Sequence, residues 1–334
     1  MSKFPKREIL CVLKRDPIFG ELYRLQLERM LGGELLDEGI MRLTQIPPVD
    51  SMQWIIGLRY MLERLASAPS PEALCVELDT LKLSAPPFVI EYHRIGRHPL
   101  RIPSRTLLGQ LALRLEGEIS FSNPQRRFLL IETERAYHLA MILPIPKRVY
   151  QDFSRRPHPY SAALSTELAG LSVNLVASTG DRLLDPTCGS GTVVYEALCR
   201  GVHARGADVK WQWVTRAREN LSAFGYDQNS LNLGAELLIR RDDASHLRDH
   251  VDAIVANLPY NRRVLASEGS LLSILRNLKC SADRFVYFSG RSIETWLEDL
   301  GYDNVTSVDL TTNPSHPRYI SIAESTRKPL MRSS

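Results

Sequence analysis

Cysteine is scarce in this chain. Cys11, Cys75, Cys188, Cys199 and Cys280 are scattered, odd in number and never paired as C-x-x-C. This argues against a disulfide framework or a cysteine-rich zinc site and favours a reducing cytosol. Long apolar runs are missing too. None approaches the roughly 18 residues needed to span a bilayer, and the opening "MSKFPKREILCVLKRDPIFGE" has no apolar core for a signal peptide. The expectation is a soluble, cytoplasmic protein without membrane contact. His158, His246 and His316 show no metal-ligand spacing, so no metal is expected. Neither sign of charge dominates, with 42 Lys and Arg against 38 Asp and Glu. The excess falls entirely in residues 1–150, where 21 basic residues face 17 acidic ones; residues 151–334 balance at 21 each. Alone, such an asymmetry is more often a solvated surface than a polyanion site.

What is present is globular. A length of 334 residues suits two domains, and 44% hydrophobic with 24% charged residues excludes disorder as the default. In the first half, "EILCVL" (8–13) and "FVIEYHRI" (88–95) read as strands. "FGELYRLQLERMLGG" (19–33), "SMQWIIGLRYMLERLAS" (51–67) and "RTLLGQLALRLEGEI" (105–119) carry apolar residues at helical spacing. "RRFLLIETERAYHLAMILPI" (126–145) reads as two strands about a tight turn. Two small α+β units are the economical reading. The Pro-, Arg- and aromatic-rich "PIPKRVYQDFSRRPHPYSAALS" (144–165) reads as a connector.

Beyond it the pattern changes. Strand-like runs at 183–185, 204–209, 236–243, 251–257, 284–290, 305–310 and 319–324 alternate mostly with helical ones. That alternation predicts an α/β domain with a mostly parallel sheet covered on both faces, whose ligands bind beyond the carboxyl ends of the strands. "LLDPTCGSGTVVYEALCRG" (183–201) is a strand, a tight loop and a helix. Gly189 and Gly191 permit close backbone approach to a ligand, which would face the helix N-terminus. Val194 stands where a dinucleotide fingerprint wants Gly or Ala, against a nicotinamide cofactor. Asp208 ends the next strand, where a carboxylate can accept both ribose hydroxyls. Asp242 and Asp243 end the one after and can accept from an adenine amine. A cap or turn is the commoner role for each acid alone; three at successive strand ends are harder to explain that way.

The fourth strand ends in Asn257-Leu258-Pro259-Tyr260. An exocyclic amine has its lone pair delocalised into the ring. Accepting its N–H groups on the Asn257 amide oxygen and the Leu258 carbonyl recovers that lone pair and disperses the developing positive charge. Pro259 fixes the turn, and Tyr260 offers a face on which a flipped base can stack.

Residues 181–264 resemble S-adenosylmethionine-dependent amino-methyltransferases with a D-P-x-x-G-x-G loop and a [DN]-[LP]-P-[YFW] motif. Within them, "LDPTCGSGTVVYEA" and "RRPHPYSAALSTELAGLSVNLV" are similar to the THUMP-containing RNA methyltransferases, whose tRNA members make N2-methylguanosine. The resemblance implies a ferredoxin-like α+β unit (1–70), a THUMP-like RNA-binding domain (71–147), a linker (148–170) and a Rossmann-like methyltransferase domain with a seven-stranded, mostly parallel sheet (171–334). It implies that Asp185, Pro186, Thr187, Cys188, Gly189, Gly191 and Asn257 hold the cofactor. Asp208 would take its ribose and Asp243 its adenine, with Asp242 the register alternative. Asn257, Leu258, Pro259 and Tyr260 would form the catalytic pocket. The partner implied is RNA, specifically tRNA.

Arg94, Arg97, Arg101 and Arg105, with Arg155 and Arg156 in the connector and Arg262 and Arg263 beside the pocket, are the candidates for RNA contact. "NLPYN" also occurs in rRNA adenine-N6 dimethyltransferases, and Leu258 and Asn261 depart from what many guanine-N2 enzymes show. Adenine-N6 methylation of RNA or DNA is the alternative reaction; a non-catalytic RNA-binding relative is the alternative class.

Overall fold

A computed structural model describes residues 8–43, 47–81, 85–96, 104–147, 152–160, 163–227, 238–259 and 267–326. The chain divides into two compact units, Met1–Asp16 with Leu27–Lys147, and Pro17–Gln26 with Arg148–Ser334. Among the described residues no helix is long and apolar enough to cross a membrane.

The first stretch of chain runs β1 (Glu8–Leu13), α1 (Gly20–Leu31), β2 (Glu34–Asp37), β3 (Ile40–Leu43), α2 (Val49–Met52), β4 (Leu58–Ala68), α3 (Pro71–Leu81), β5 (Phe88–Arg94), α4 (Ser104–Ala112), β6 (Arg126–Glu132) and β7 (Tyr137–Leu143). All seven strands join one sheet in the order β2-β3-β1-β4-β7-β6-β5, so the two expected α+β units share a continuous sheet. Every pairing is antiparallel except β5 with β6.

Two expectations need correction here. The helix expected over 51–67 is largely strand β4, paired on one side with β1 and on the other with β7. Met61 and Leu62 are neighbours yet both fully buried, because this strand has apolar contacts on both faces. A strand buried on both sides loses its period of two and imitates a helix. The helix expected over 105–119 ends at Ala112. Past it the chain turns back along β5, where Ala85 and Phe88 donate to the carbonyls of Glu116 and Glu118.

The second stretch opens with a 3-10 turn (Phe153–Arg155), then α5 (Thr166–Val176), β8 (Arg182–Asp185), α6 (Thr192–Cys199), β9 (His203–Asp208), α7 (Trp211–Ser222), β10 (Ile239–Arg241), β11 (Ala253–Asn257), α8 (Glu268–Lys279), β12 (Arg284–Ser289), α9 (Glu294–Asp299), β13 (Asp303–Asp309) and β14 (Tyr319–Glu324). The sheet order is β10-β9-β8-β11-β12-β14-β13. The first five strands are parallel; β14 runs antiparallel to both its neighbours. This is the α/β fold expected. Strand order reverses between β8 and β11, so the chain leaves their carboxyl ends in opposite directions and opens a crevice there.

The connector does not hang free of this unit. Phe153 is fully buried and stacks on Tyr195 with ring centres 4.2 Å apart. The Ser165 hydroxyl caps α5 by accepting from the Leu168 amide. From the amino-terminal segment of the same unit, Gln26 accepts a hydrogen bond from Asn174 at 2.7 Å. Asn174 in turn accepts one from Arg200 at 3.0 Å.

Candidate active site

The loop after β8 is built by its own backbone. The Asp185 carboxylate accepts the Thr187 amide at 3.0 Å, and the Gly191 amide donates to the Cys188 carbonyl at 2.8 Å. Gly189 and Gly191 have φ of 50° and 88°, left-handed values that a side chain resists. The Cys188 amide ties the loop to β9 through the Ala207 carbonyl at 2.8 Å. Close packing beneath it needs Gly206, where a Cβ would lie 2.7 Å from Ile239 and 2.8 Å from Cys188.

Asp208 stands at the end of β9 with its carboxylate gripped by two amides, Gly189 at 3.1 Å and Lys210 at 2.9 Å. Beyond β10, Asp243 accepts from the amide and hydroxyl of Ser245 at 2.9 and 2.7 Å. On the far side of the crevice, Asn257 pairs in register with Phe288. The Leu258 amide donates to the Phe288 carbonyl at 3.0 Å, while the Leu258 side chain packs into the core with Leu271 and Ile274.

These strand ends enclose a cavity of about 370 Å³, lined among others by Asp185, Pro186, Thr187, Cys188, Gly189, Asp208, Asp243, Asn257, Leu258 and Pro259. Its acids differ in character. Burial lifts Asp185 to about 7, against the opposing Thr187 amide and with the nearby Asp208 charge adding to the rise. Burial also raises Asp208, although the Lys210 and Gly189 amides pull it down. The Ser245 hydroxyl, with its amide, holds Asp243 below the usual carboxylate range. Burial pushes the Cys188 thiol well up. Three buried oxygens of the lining residues, Ser190 Oγ, Thr192 Oγ1 and Asn257 Oδ1, have no hydrogen-bond partner among the described residues. Buried polar atoms are rarely left so, and here they border a space able to hold what would satisfy them.

Several expected site residues stand elsewhere. Asp242 does not line the cavity; it pairs with Arg240 at 3.0 Å, because alternate positions leaving a strand face opposite ways. Gly191 lies behind the loop, with its missing Cβ directed at Ala217 and Leu221. Arg156 is corrected as an RNA contact. It is buried, its guanidinium lies over the Phe153 ring at 5.2 Å, and it donates to the Phe153 carbonyl at 3.0 Å. Arg105 and Arg155 are exposed and Arg94 is half-buried. Tyr260, Arg97, Arg101, Arg262 and Arg263 lie outside the described residues. Among the described residues no group of three His, Cys, Asp or Glu side chains could hold a metal ion.

The cavity also has walls that pattern reading missed. Tyr160, Leu164, Lys210, Trp213, Ser270 and Ile274 line it. Tyr160 had one cue, an aromatic in the proline-rich stretch preceding β8. Trp213 had none, because it reads as one more position in an amphipathic helix.

Residues 154–296 match the family described as UPF0020, RMKL-like, methyltransferase domain. The chain is 40% identical over 109 residues to the tRNA (guanine(10)-N2)-dimethyltransferase of Methanothermobacter thermautotrophicus, covering 32% of this chain and 30% of that protein. It is 25% identical over 182 residues to the protein of the same name from Methanocaldococcus jannaschii, covering 51% of this chain and 50% of that protein. The match thus spans at most about half the length of these curated relatives. The crystal structure of TrmN from Thermus thermophilus superposes over 95% of this chain and 99% of its own, with a TM-score of 0.50 and 19% identity. That likeness establishes the fold.

Proposed function

We propose that the chain, whose residues 154–296 match the RMKL-like methyltransferase domain, transfers a methyl group from S-adenosylmethionine to the exocyclic N2 amine of a guanosine in tRNA. One observation carries the reaction type: the buried, partnerless Asn257 Oδ1 at the switch-point cavity, beside a glycine loop and a carboxylate held by two amides. The two curated relatives act, by their names, on guanine 10 of tRNA at N2, which supports the choice of base.

The residues present fit the cofactor. Three acids and three partnerless oxygens border the cavity, and they suit a ligand rich in donors and carrying positive charge. When bound, S-adenosylmethionine supplies an electrophilic methyl group on a sulfonium. Asp185, Pro186, Thr187, Cys188 and Gly189 would hold its amino-acid end, with Ser190 and Thr192 adding their unused hydroxyls. Asp208, fixed by the Gly189 and Lys210 amides, accepts from the ribose diol, and Asp243 accepts from the adenine amine.

Asn257 Oδ1 and the Leu258 carbonyl accept the two N–H groups of the target amine. They turn its lone pair out of the ring and stabilise the charge that forms on nitrogen. The proton is lost after the charge has developed, so no strong base is required. Pro259 holds the turn, and Tyr260 is assigned the stacking face. The reading extends to a ferredoxin-like segment (1–70) and a THUMP-like RNA-binding segment (71–147). Arg94, Arg105 and Arg155 would contact tRNA phosphates, with Arg97, Arg101, Arg262 and Arg263 from outside the described residues. The cytoplasm is the compartment, supported by the buried free thiols Cys11, Cys75 and Cys188.

The test is to incubate the purified chain with S-adenosylmethionine and unmodified tRNA and to analyse nucleosides by mass spectrometry. N2-methylguanosine, or its dimethyl form, is expected. N6-methyladenosine in its place would overturn the choice of base, and calorimetry showing no cofactor binding would overturn the enzyme reading.

A further inference from the structure

Asn220 of α7 is fully buried and uses every hydrogen-bonding group of its side chain. Its Oδ1 accepts the His158 amide at 2.7 Å. Its Nδ2 donates both to the His158 carbonyl at 3.2 Å and to the Ser190 carbonyl at 3.0 Å. One amide thus ties two chain segments that both line the cavity. Ser190 belongs to the glycine loop. His158 lies two residues before Tyr160, whose ring rests 4.3 Å from that of Trp213.

The same connector is fixed upstream by the Phe153–Tyr195 stack and beside Asn220 by the contact of the His158 imidazole with the Glu219 carboxylate. Trp213 is braced in turn by the Arg216 guanidinium, 5.0 Å from its ring centre. Its amide donates to the carbonyl of Lys210, whose own amide holds Asp208. The aromatic pair therefore stands on the Asp208 side of the cavity.

We infer that Asn220 is a positioning residue for cofactor binding. It locks the connector to the glycine loop, so that Tyr160, backed by Trp213, forms a fixed aromatic wall against the bound cofactor. The inference rests on the proposed cofactor site. Asparagine suits the task because it offers one acceptor and two donors in a single plane. Alanine removes all three bonds, leaving the connector and the loop free to shift against each other. A site loosened by a fraction of an ångström loses affinity without losing its ligating groups.

The test is calorimetric titration of the full chain with S-adenosylmethionine. Wild type is compared with Asn220→Ala, Tyr160→Ala, Tyr160→Phe and the double variant Asn220→Ala/Tyr160→Ala, with thermal unfolding measured alongside. Asn220→Ala is expected to weaken binding roughly 10- to 50-fold, Tyr160→Ala about tenfold, and Tyr160→Phe less than threefold, since the ring is what the wall needs. The double variant should lose less than the product of the single losses, because both act through the position of one ring. In steady-state assays Asn220→Ala should raise KM for the cofactor while kcat stays within about threefold.

A fall in Tm with unchanged cofactor affinity would reduce Asn220 to a structural residue and overturn the inference. So would full multiplicativity in the double variant, or Tyr160→Phe binding as poorly as Tyr160→Ala. Tyr160, half-buried at the cavity, keeps the test decisive should Asn220→Ala fail to fold. If wild type itself does not bind, the cofactor reading falls and this inference falls with it.

Discussion

Among the described residues the two sheets have seven strands each and do different things with them. In the first, neighbouring strands run antiparallel except β5 beside β6, so the carboxyl ends of its strands are divided between the two edges of the sheet. Its buried carboxylate, Glu132, is consumed locally, accepting from Tyr92 at 2.5 Å and Tyr137 at 3.2 Å. In the second, three successive parallel pairings bring β8, β9, β10 and β11 out on one edge. The polar residues that follow them converge on one cavity, and some stay unsatisfied. A mostly antiparallel sheet ends its polar groups in its own packing; a parallel one with a reversal of strand order collects them for a ligand.

The sharpest way to break this contrast is Asn257→Ala. Turnover on tRNA should fall on the order of 10³-fold, the scale of losing one preorganised electrostatic contact to the transition state, with cofactor affinity within about threefold. A matching loss of cofactor binding would contradict the role. Next, Asp208→Ala should weaken cofactor binding about 100-fold by calorimetry, as expected for losing hydrogen bonds to a charged acceptor. Glu132→Ala, its counterpart in the first sheet, should leave cofactor affinity unchanged and lower unfolding stability by about 2 kcal/mol in denaturant titration.

A smaller effect concerns Asp185. Its folded-state value of about 7 stands above the ordinary 3.8. Between those values the folded state holds a proton that the unfolded state does not, so stability falls as pH rises from about 4 to about 7 and then levels. Without cofactor, the Tm of wild type should drop across that window, while Asp185→Asn should flatten the profile and unfold higher at pH 8. Smallest of all, Arg94→Ala and Arg105→Ala in the first unit should each weaken tRNA binding only a few-fold and reduce its salt slope by about one. Cofactor binding should be untouched.

Legibility differed between the sheets for the same reason. Parallel strands separated by helices leave clear marks: a short apolar run, a chemical group at its end, then helical spacing. Asp185, Asp208 and Asn257 could be placed beside one cavity because each is the last residue of its own strand. β4 was not, since burial on both faces put Met61 and Leu62 side by side and mimicked a helix. Asn220 was invisible as well: its partners His158 and Ser190 lie 62 and 30 residues away, and on its own helix it is one more inward position.

The sequence by itself determined the α/β second half and the order of its chemical groups, because strand ends and glycine turns are local properties of the chain. Only the tertiary structure decided that Asp243 rather than Asp242 faces the cavity and that Arg156 is packing rather than surface. It alone showed that the connector supplies a wall. Those outcomes depend on which face a side chain presents and on contacts between distant segments, and no local pattern encodes either.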